Sequence, residues 1–446
     1  MALSGIQIFK LLPKTNCKDC DFPTCLAFAM ALSQGKAELA KCPHVSDEAT
    51  AELSEASEPP IRTVSIGANG SAVKAGGETV MFRHEKTFNN PPGLAILVSD
   101  DMDDAEVDAR IAKVKELQYD RVGVILKPEL VAVKCAGGDA ARFGSVAEKA
   151  AQAEVGIILM GDAAALGAAL KVCGDKKPLI YAAEAGNVDE IGALAKEHGC
   201  PVVAKGTDVE DVIGVTEKLT AMGLKDIVVD SGARGLGEVF KDQIAIRRAA
   251  LSGNCKPLGF PTIVLPCEMT DDPAQETVVA AALIAKYAGL VVLSDFDGAS
   301  LFPLLLERLN IFTDPQRPMA TNEGIYDING PDENSPVLIT SNFSLSYFIV
   351  SGEIETSRTP SWLLVKDTEG LSVMTAWAAG KFVADEIGPF VKKSGIEEKV
   401  KHRKLIIPGF AAQILGELEE ELPDWQIIIG PREASHIPSF LKDWSA

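Results

Sequence analysis

Between residue 93 and about residue 310, short apolar runs recur along the chain, and most are rich in β-branched side chains. They lie at Leu94 to Val98, Val122 to Leu126, Val155 to Met160, Leu179 to Tyr181, Pro201 to Ala204, Ile227 to Val229, Thr262 to Leu265 and Leu290 to Leu293. Between them come segments with the 3.6-residue apolar period of a half-buried helix, such as Ala105 to Leu117, Val188 to Lys196, Val209 to Met222 and Ala274 to Ala288. Strands that are apolar on both faces, alternating evenly with helices, predict a closed (β/α)8 TIM barrel more readily than an open doubly wound sheet.

On either side of this region the pattern changes. Residues 61 to 83 alternate as a hairpin does, with strands expected at Arg62-Thr-Val-Ser-Ile66 and Glu78-Thr-Val-Met-Phe82 and turn residues between them. Such a hairpin would precede the barrel and plug it. After the Pro/Gly/Asn-rich segment 314 to 336, four further runs appear at Val337 to Thr340, Leu363 to Val365, Leu405 to Ile407 and Ile427 to Ile429, again alternating with helices. Four parallel strands with crossover helices suggest a flavodoxin-like (Rossmann-type) layered domain. The expected α/β multidomain organisation is a small head at 1–57, a linker and hairpin at 58–92, the barrel at 93–320 and the C-terminal domain at 321–446. The acidic stretch running to Glu58-Pro59-Pro60 reads as the tether of the head.

Composition narrows the function. The 446 residues carry 43 basic and 63 acidic side chains, a net charge of -20. That balance opposes a sequence-independent grip on nucleic acid or anionic lipid. No apolar run is long enough for a spanning helix, and the N-terminus shows no secretory leader, so a cytoplasmic protein is expected.

The head holds the strongest chemical signal. Cys17, Cys20, Cys25 and Cys42 stand in the order C-x2-C-x4-C-x16-C, and Pro43 follows the last. Three thiolates from one loop can wrap one face of a metal centre, and a fourth, returning after a helical segment (Leu26 to Ala40), closes it. The spacing favours a 4Fe-4S cluster. Tetrahedral zinc is the competing reading, but the second C-x2-C knuckle usual for zinc is missing. Disulfides are disfavoured by the expected compartment. Cys135, Cys173, Cys200, Cys255 and Cys267 are scattered singly and read as free thiols.

In the C-terminal domain, small and hydroxylated residues gather at the predicted strand ends: Thr340-Ser-Asn-Phe-Ser-Leu-Ser346, Asp367-Thr-Glu-Gly-Leu-Ser-Val-Met-Thr375, Pro408-Gly-Phe and Gly430-Pro-Arg-Glu-Ala-Ser-His-Ile-Pro. Ligands of such sheets bind outside the carboxyl ends of the strands, where small residues let a large planar molecule approach the backbone. Helix capping is the alternative role for each hydroxyl taken singly. At the expected strand ends of the barrel stand Asp100, Lys127, Asp162, Glu184, Lys205, Asp230, Glu268 and Asp295. They include no histidine and form no recognisable metal set, so capping and mutual pairing are expected of them.

The cysteine head, the barrel, and the segments Ile-Thr-Ser-Asn-Phe-Ser-Leu-Ser-Tyr and Thr-Glu-Gly-Leu-Ser-Val together resemble the large subunits of the corrinoid iron-sulfur proteins of the acetyl-CoA (Wood-Ljungdahl) pathway. The resemblance covers essentially the whole chain and implies two cofactors, a 4Fe-4S cluster held by the four head cysteines and a cobalt corrinoid of the cobalamin type. The corrinoid would lie against Thr340, Ser346, Gly370, Leu371, Ser372, Val373 and the neighbourhood of Ala434, with Thr375 near its lower face.

The resemblance further implies a methyl carrier more than a stand-alone enzyme, one that accepts methyl from methyltetrahydrofolate through a separate methyltransferase and donates it to acetyl-CoA synthase. The implied partners are a small barrel subunit forming a heterodimer, the methyltransferase, acetyl-CoA synthase and a reductive activator. The chain lacks the Asp-x-His-x-x-Gly motif that supplies a lower-face imidazole in many methyl-carrying B12 domains, so the corrinoid would be held base-off without a histidine. That eases return to Co(I), and the cluster would re-reduce cobalt that has strayed to Co(II). Two other classes of protein share parts of the pattern. An iron-sulfur/flavin electron-transfer protein is one, although the strand-end loops lack a flavodoxin's phosphate-binding run. A barrel methyltransferase or hydrolase with an iron-sulfur sensor is the other.

Overall fold

The computed structural model describes residues 5–33, 37, 39–46, 49, 53, 59–121, 124–314 and 318–445. These fall into two compact units, Met1–Tyr119 with Leu126–Phe312, and Asp120–Ile125 with Thr313–Ala446. The acidic tether ending at Glu58 lies largely outside the described residues, as does Val122. Among the described residues no helix is long and apolar enough to cross a membrane.

In the first unit, β1 (Val64–Ile66) and β2 (Val73–Ala75) pair antiparallel. The expected second strand at Glu78 to Phe82 is therefore displaced. Two left-handed glycines, Gly76 at φ +82° and Gly77 at φ +81°, turn the chain immediately after Ala75. The Gly77 N–H then donates to the Ile61 carbonyl at 2.9 Å, so the following residues leave the ladder.

Eight parallel strands follow, β3 (Gly93–Ser99), β6 (Leu130–Lys134), β7 (Gly156–Met160), β8 (Leu179–Ala183), β9 (Val202–Lys205), β10 (Ile227–Asp230), β11 (Ile263–Val264) and β12 (Leu290–Leu293). Their order is β10-β9-β8-β7-β6-β3-β12-β11, and a bridge between Val229 and Thr262 links the two end strands. Alternation sorts the side chains. Leu94, Ile96, Val131, Val133, Ile157 and Leu159 face the helices, while Ala95, Leu130, Ala132, Ile158, Val203, Val228 and Val292 fill the barrel. Val64, Ile66 and Ala75 join that inner cluster, so the hairpin does plug the barrel.

One expected barrel strand is wrong. The run Val122 to Leu126 contributes β5 (Val124–Leu126), which pairs only with β4 (Tyr119–Arg121). Val124 and Ile125 are exposed, and the second barrel strand is β6, beyond Pro128. Both runs are apolar, but only the later one has neighbours that bury both its faces. Residues 120–125 belong instead to the second unit, where the Arg121 guanidinium lies 5.1 Å from the centre of the Phe348 ring. Lys127 is accordingly not at the end of a barrel strand, and its carbonyl accepts from Arg308 at 2.8 Å.

The second unit carries a five-stranded sheet in the order β13-β15-β14-β16-β17, made of β13 (Gly324–Ile328), β14 (Val337–Ser341), β15 (Ser361–Lys366), β16 (Lys404–Ile407) and β17 (Gln426–Ile429). The four expected strands are parallel, and β13 is an additional antiparallel edge inside the segment read as a boundary. Period-2 alternation divides two cores. Val337, Ile339, Leu364, Leu405 and Ile407 pack with Phe382, Ile387 and Val391 on one face; Leu338, Leu363, Val365 and Ile406 pack with Ile354, Ile437 and Leu441 on the other.

Candidate functional site

The head is a small apolar nest around its thiols. Ile8, Leu12, Phe28 and Ala29 surround Cys20, Cys25 and Cys42, all of which are buried, while Cys17 is exposed. The helix after the loop is described over Cys25–Ser33, and a 3-10 turn stands at Leu39–Lys41; residues 34–36 and 38 of the expected helical segment lie outside the described residues. The loop before it is wound by left-handed residues, Lys14, Asn16, Lys18 and Asp21. Thr24 caps the helix, its hydroxyl accepting from the Ala27 N–H at 3.1 Å. Cys25 thus sits in the first turn of the helix.

A single zinc with bonds of ~2.3 Å needs its sulfurs roughly 3.8 Å apart. Among the described residues, the only ligand atoms that group in threes within 4.8 Å belong to Cys17, Asp19 and His44, so no three thiols gather around a point. The C-x2-C-x4-C-x16-C spacing, with Pro43 after the last cysteine, favours a multi-iron cluster over one ion. His44 Nε2 and Asp19 Oδ2 lie 2.6 Å apart. Hydrogen bonds from His44 and then from Cys17 hold the Asp19 carboxyl below its usual range.

In the second unit the expected site residues lie on loops at the carboxyl edge of the sheet. Thr340 is buried near the end of β14, and Ser346 is half-buried in the first turn of the helix Ser344–Ser357. Gly370 is buried at φ +75°, where a Cβ would stand 2.8 Å from the Pro318 carbonyl oxygen. Leu371, Ser372 and Val373 are half-buried, and Thr375 is exposed, its hydroxyl 3.0 Å from that of Ser372. Ala434, also half-buried, opens the 3-10 turn Ala434–His436, which packs on the helix carrying Ser346. The helix Val373–Ala378 contacts the turn after β16, Gly409–Ile414. The Gly409 N–H also donates to the Pro431 carbonyl at 3.1 Å, so each of the four loops touches at least one other. Their rim exposes Leu345, Met374, Trp377, Phe410 and Ile429, an apolar border to a polar floor.

Sequence reasoning missed the residue that organises this edge. Asn342, 4% exposed, accepts at Oδ1 from the Thr368 N–H at 2.9 Å, the Thr368 hydroxyl at 3.0 Å and the Gly370 N–H at 2.9 Å. Its own amide donates to Asp367 at 2.8 Å. One side chain thus fixes the whole loop that carries Gly370 to Val373. The available signal was an asparagine directly after an apolar strand, opposite a loop rich in N–H donors. Ser341 Oγ, next in sequence, and Thr321 Oγ1, whose own N–H donates to the Asn342 carbonyl at 2.8 Å, are buried without a partner.

Of the two histidines in this unit, His402 is committed elsewhere. Its Nε2 is 2.9 Å from the Ser335 carbonyl, its Nδ1 accepts from the Lys404 N–H at 3.2 Å, and it lies before β16, at the amino edge of the sheet. His436 is exposed, in the turn that begins at Ala434.

Charges at the carboxyl end of the barrel pair with one another, as expected from sequence. Arg234 donates to Asp230 at 3.1 Å, to Glu268 at 2.8 Å and to the Tyr181 hydroxyl at 2.9 Å. Tyr181 donates to Asp230 at 2.7 Å, Lys134 pairs with Glu268 at 3.0 Å and Lys205 with Glu184 at 2.7 Å. Burial and then the Asp230 charge push the Tyr181 phenol up, so it stays protonated. Asp162 caps its helix and Asp295 pairs with Lys113 at 2.7 Å.

The family described as CO dehydrogenase/acetyl-CoA synthase delta subunit matches residues 63–441, and an Fe-S cluster family matches residues 12–44. The corrinoid/iron-sulfur protein large subunit of Moorella thermoacetica is 43% identical over 444 residues, 99% of each chain. The acetyl-CoA decarbonylase/synthase complex subunit gamma of Methanopyrus kandleri is 35% identical over 99% of this chain and 97% of its own. That of Methanothermobacter thermautotrophicus is 33% identical over 99% of both.

Proposed function

Because the chain belongs to the family of corrinoid/iron-sulfur protein large subunits and acetyl-CoA decarbonylase/synthase gamma subunits, we propose that it carries methyl groups in acetyl-CoA synthesis, on a corrinoid held at the carboxyl edge of its C-terminal sheet. The observation that carries the reading is the joining, on one chain, of a four-thiol head to that loop cluster organised by Asn342. When bound, a corrinoid supplies a cobalt nucleophile that takes and releases a methyl group, and a 4Fe-4S cluster supplies the electron that rescues it from oxidation.

The residues present suit both groups. Cys17, Cys20, Cys25 and Cys42 hold the cluster. In the C-terminal domain, read as flavodoxin-like from its parallel order β15-β14-β16-β17, Thr340, Ser346, Ser372 and Thr375 offer hydroxyls to amide groups on the corrinoid rim. Gly370 and Ala434 leave room for its close approach, and Leu371 and Val373 line it with apolar surface. No histidine is in place to approach the cobalt from a rigid element, which suits a base-off corrinoid. The functional divisions are the head at 1–57, the hairpin at 58–92, the barrel at 93–320 apart from 120–125 and the residues from 313, which belong to the second unit, and the carrier domain at 321–446. The barrel, its mouth filled by Arg234 and its partners, serves as scaffold.

The proposed partners are a small barrel subunit in a heterodimer, a methyltetrahydrofolate methyltransferase, acetyl-CoA synthase and a reductive activator, all in the cytoplasm, where thiols stay reduced. An absorption spectrum of anaerobically purified protein, with cobalt and iron analysis, tests the reading. Corrinoid bands with roughly one cobalt and four irons per chain support it. A flavin doublet, or cluster absorption without cobalt, overturns it.

A further inference from the structure

Asn16 and Cys25, nine positions apart, are joined by two reciprocal hydrogen bonds. The Asn16 N–H points at Cys25 Sγ at 3.4 Å, and the Cys25 N–H donates to Asn16 Oδ1 at 2.8 Å. The pair closes the base of the loop that carries Cys17 and Cys20, so three of the four head thiols lie within its span. Asn16 holds φ +51°, a left-handed conformation that asparagine tolerates better than most residues. The Cys25 N–H is one of the free donors in the first turn of its helix, and the Asn16 side chain satisfies it from outside that helix.

From this geometry we infer that Asn16 is a positioning residue for the iron-sulfur cluster, its side chain locking the loop so that its own N–H stays aimed at the Cys25 sulfur. The inference rests on the proposed role of Cys25 as a cluster ligand. Reduction adds negative charge to the cluster and its sulfurs, and a fixed N–H dipole stabilises that charge; hydrogen bonds to the sulfurs are among the factors that set a cluster's potential. Without the side-chain clamp the N–H remains but loses its aim. The reduced state then becomes harder to reach, and the loop opens more readily to solvent.

The test uses full-length, anaerobically prepared wild type, Asn16→Gly and Asn16→Asp. Glycine keeps the left-handed backbone and removes the acceptor, whereas aspartate keeps an oxygen for the Cys25 N–H. An electron paramagnetic resonance redox titration should place the Asn16→Gly cluster at a more negative midpoint potential than wild type, and iron should pass to a chelator several-fold faster. Asn16→Asp should restore the chelator rate. A wild-type midpoint and chelator rate in Asn16→Gly overturn the inference. If that variant assembles no cluster, Asn16→Asp decides, since a retained cluster supports the clamp and a missing one refutes it. A wild type that itself carries no 4Fe-4S signal overturns the cluster reading instead, before any variant is compared.

Discussion

Asn342 and Asp367 face each other across the carboxyl edge of the C-terminal sheet, the amide of one donating to the carboxylate of the other at 2.8 Å. Through this pair the end of β14 is tied to the loop after β15. The Oδ1 of Asn342 accepts three further hydrogen bonds, from Thr368 and Gly370. Removing the side chain therefore strands several donors at once.

Asn342→Ala should cost about 2–3 kcal/mol in the stability of the C-terminal unit, since buried donors are left unsatisfied. The purified protein should lose most of its cobalt while its iron content stays at the wild-type level. Asn342→Asp should do no better, because it turns the atom that donates to Asp367 into a second acceptor and sets two carboxylates against each other. Metal analysis of the two variants checks both statements, and equal cobalt in all three proteins would contradict them.

Cys20→Ala should remove most iron and labile sulfide and leave the corrinoid bound, because the thiols and the strand-end loops are built by separate segments. The variant should still accept methyl groups once reduced chemically, as the cluster restores the carrier and does not bear the methyl. Full iron retention in this variant would remove Cys20 from the ligand set.

How much of this could be read from the chain alone depended on how local the determinants were. The barrel was recoverable because alternation along each strand, as in Leu130-Val-Ala-Val133, is dictated by two apolar environments at once. The one strand placed wrongly, at Val122 to Leu126, shows the limit, since an apolar run is the same signal whether or not neighbours cover it. The hairpin partner was misplaced by a similar ambiguity, which only the left-handed turn at Gly76 and Gly77 resolves. Strand β13 hid among turn residues because an antiparallel edge needs little apolar character. The four cysteines were readable because ligand spacing is local, whereas Asn342 was not: its importance comes from three donors 26 to 28 positions away.

Asp100, at the end of β3, offers a test of barrel stability against pH. Burial alone would raise its pKa, but N–H donors from Gly137 and Ala136, with the Cys135 thiol, outweigh it and hold the carboxyl below its usual range. A folded pKa below the unfolded value of ~3.9 means the contribution is present above that value and is lost as pH falls through the folded pKa. Asp100→Asn should be less stable than wild type at pH 7 by about 1–3 kcal/mol. Denaturant unfolding from pH 7 downward should show the gap narrowing between about pH 4 and about pH 2. A gap that stays constant down to that pH would mean the carboxylate charge contributes nothing.

The last prediction is that the bound cobalt receives no nitrogen ligand from this chain. His402 is held at the amino edge of the sheet by Ser335 and Lys404, with the Trp444 ring 5.3 Å away, and reaching the opposite edge would require breaking all three contacts. His436 lies on the correct side but is exposed, in a 3-10 turn rather than in the Asp-x-His-x-x-Gly setting that aims an imidazole at a corrin. An imidazole there would also stabilise the oxidised states against the nucleophile that the carrier needs. Electron paramagnetic resonance of the Co(II) form reads the axial atom directly, because a nitrogen donor splits each high-field line into three and an oxygen donor does not. Unsplit lines are expected in the wild type and in His436→Ala alike; triplets that vanish in His436→Ala would make His436 a ligand and end the base-off, histidine-off reading.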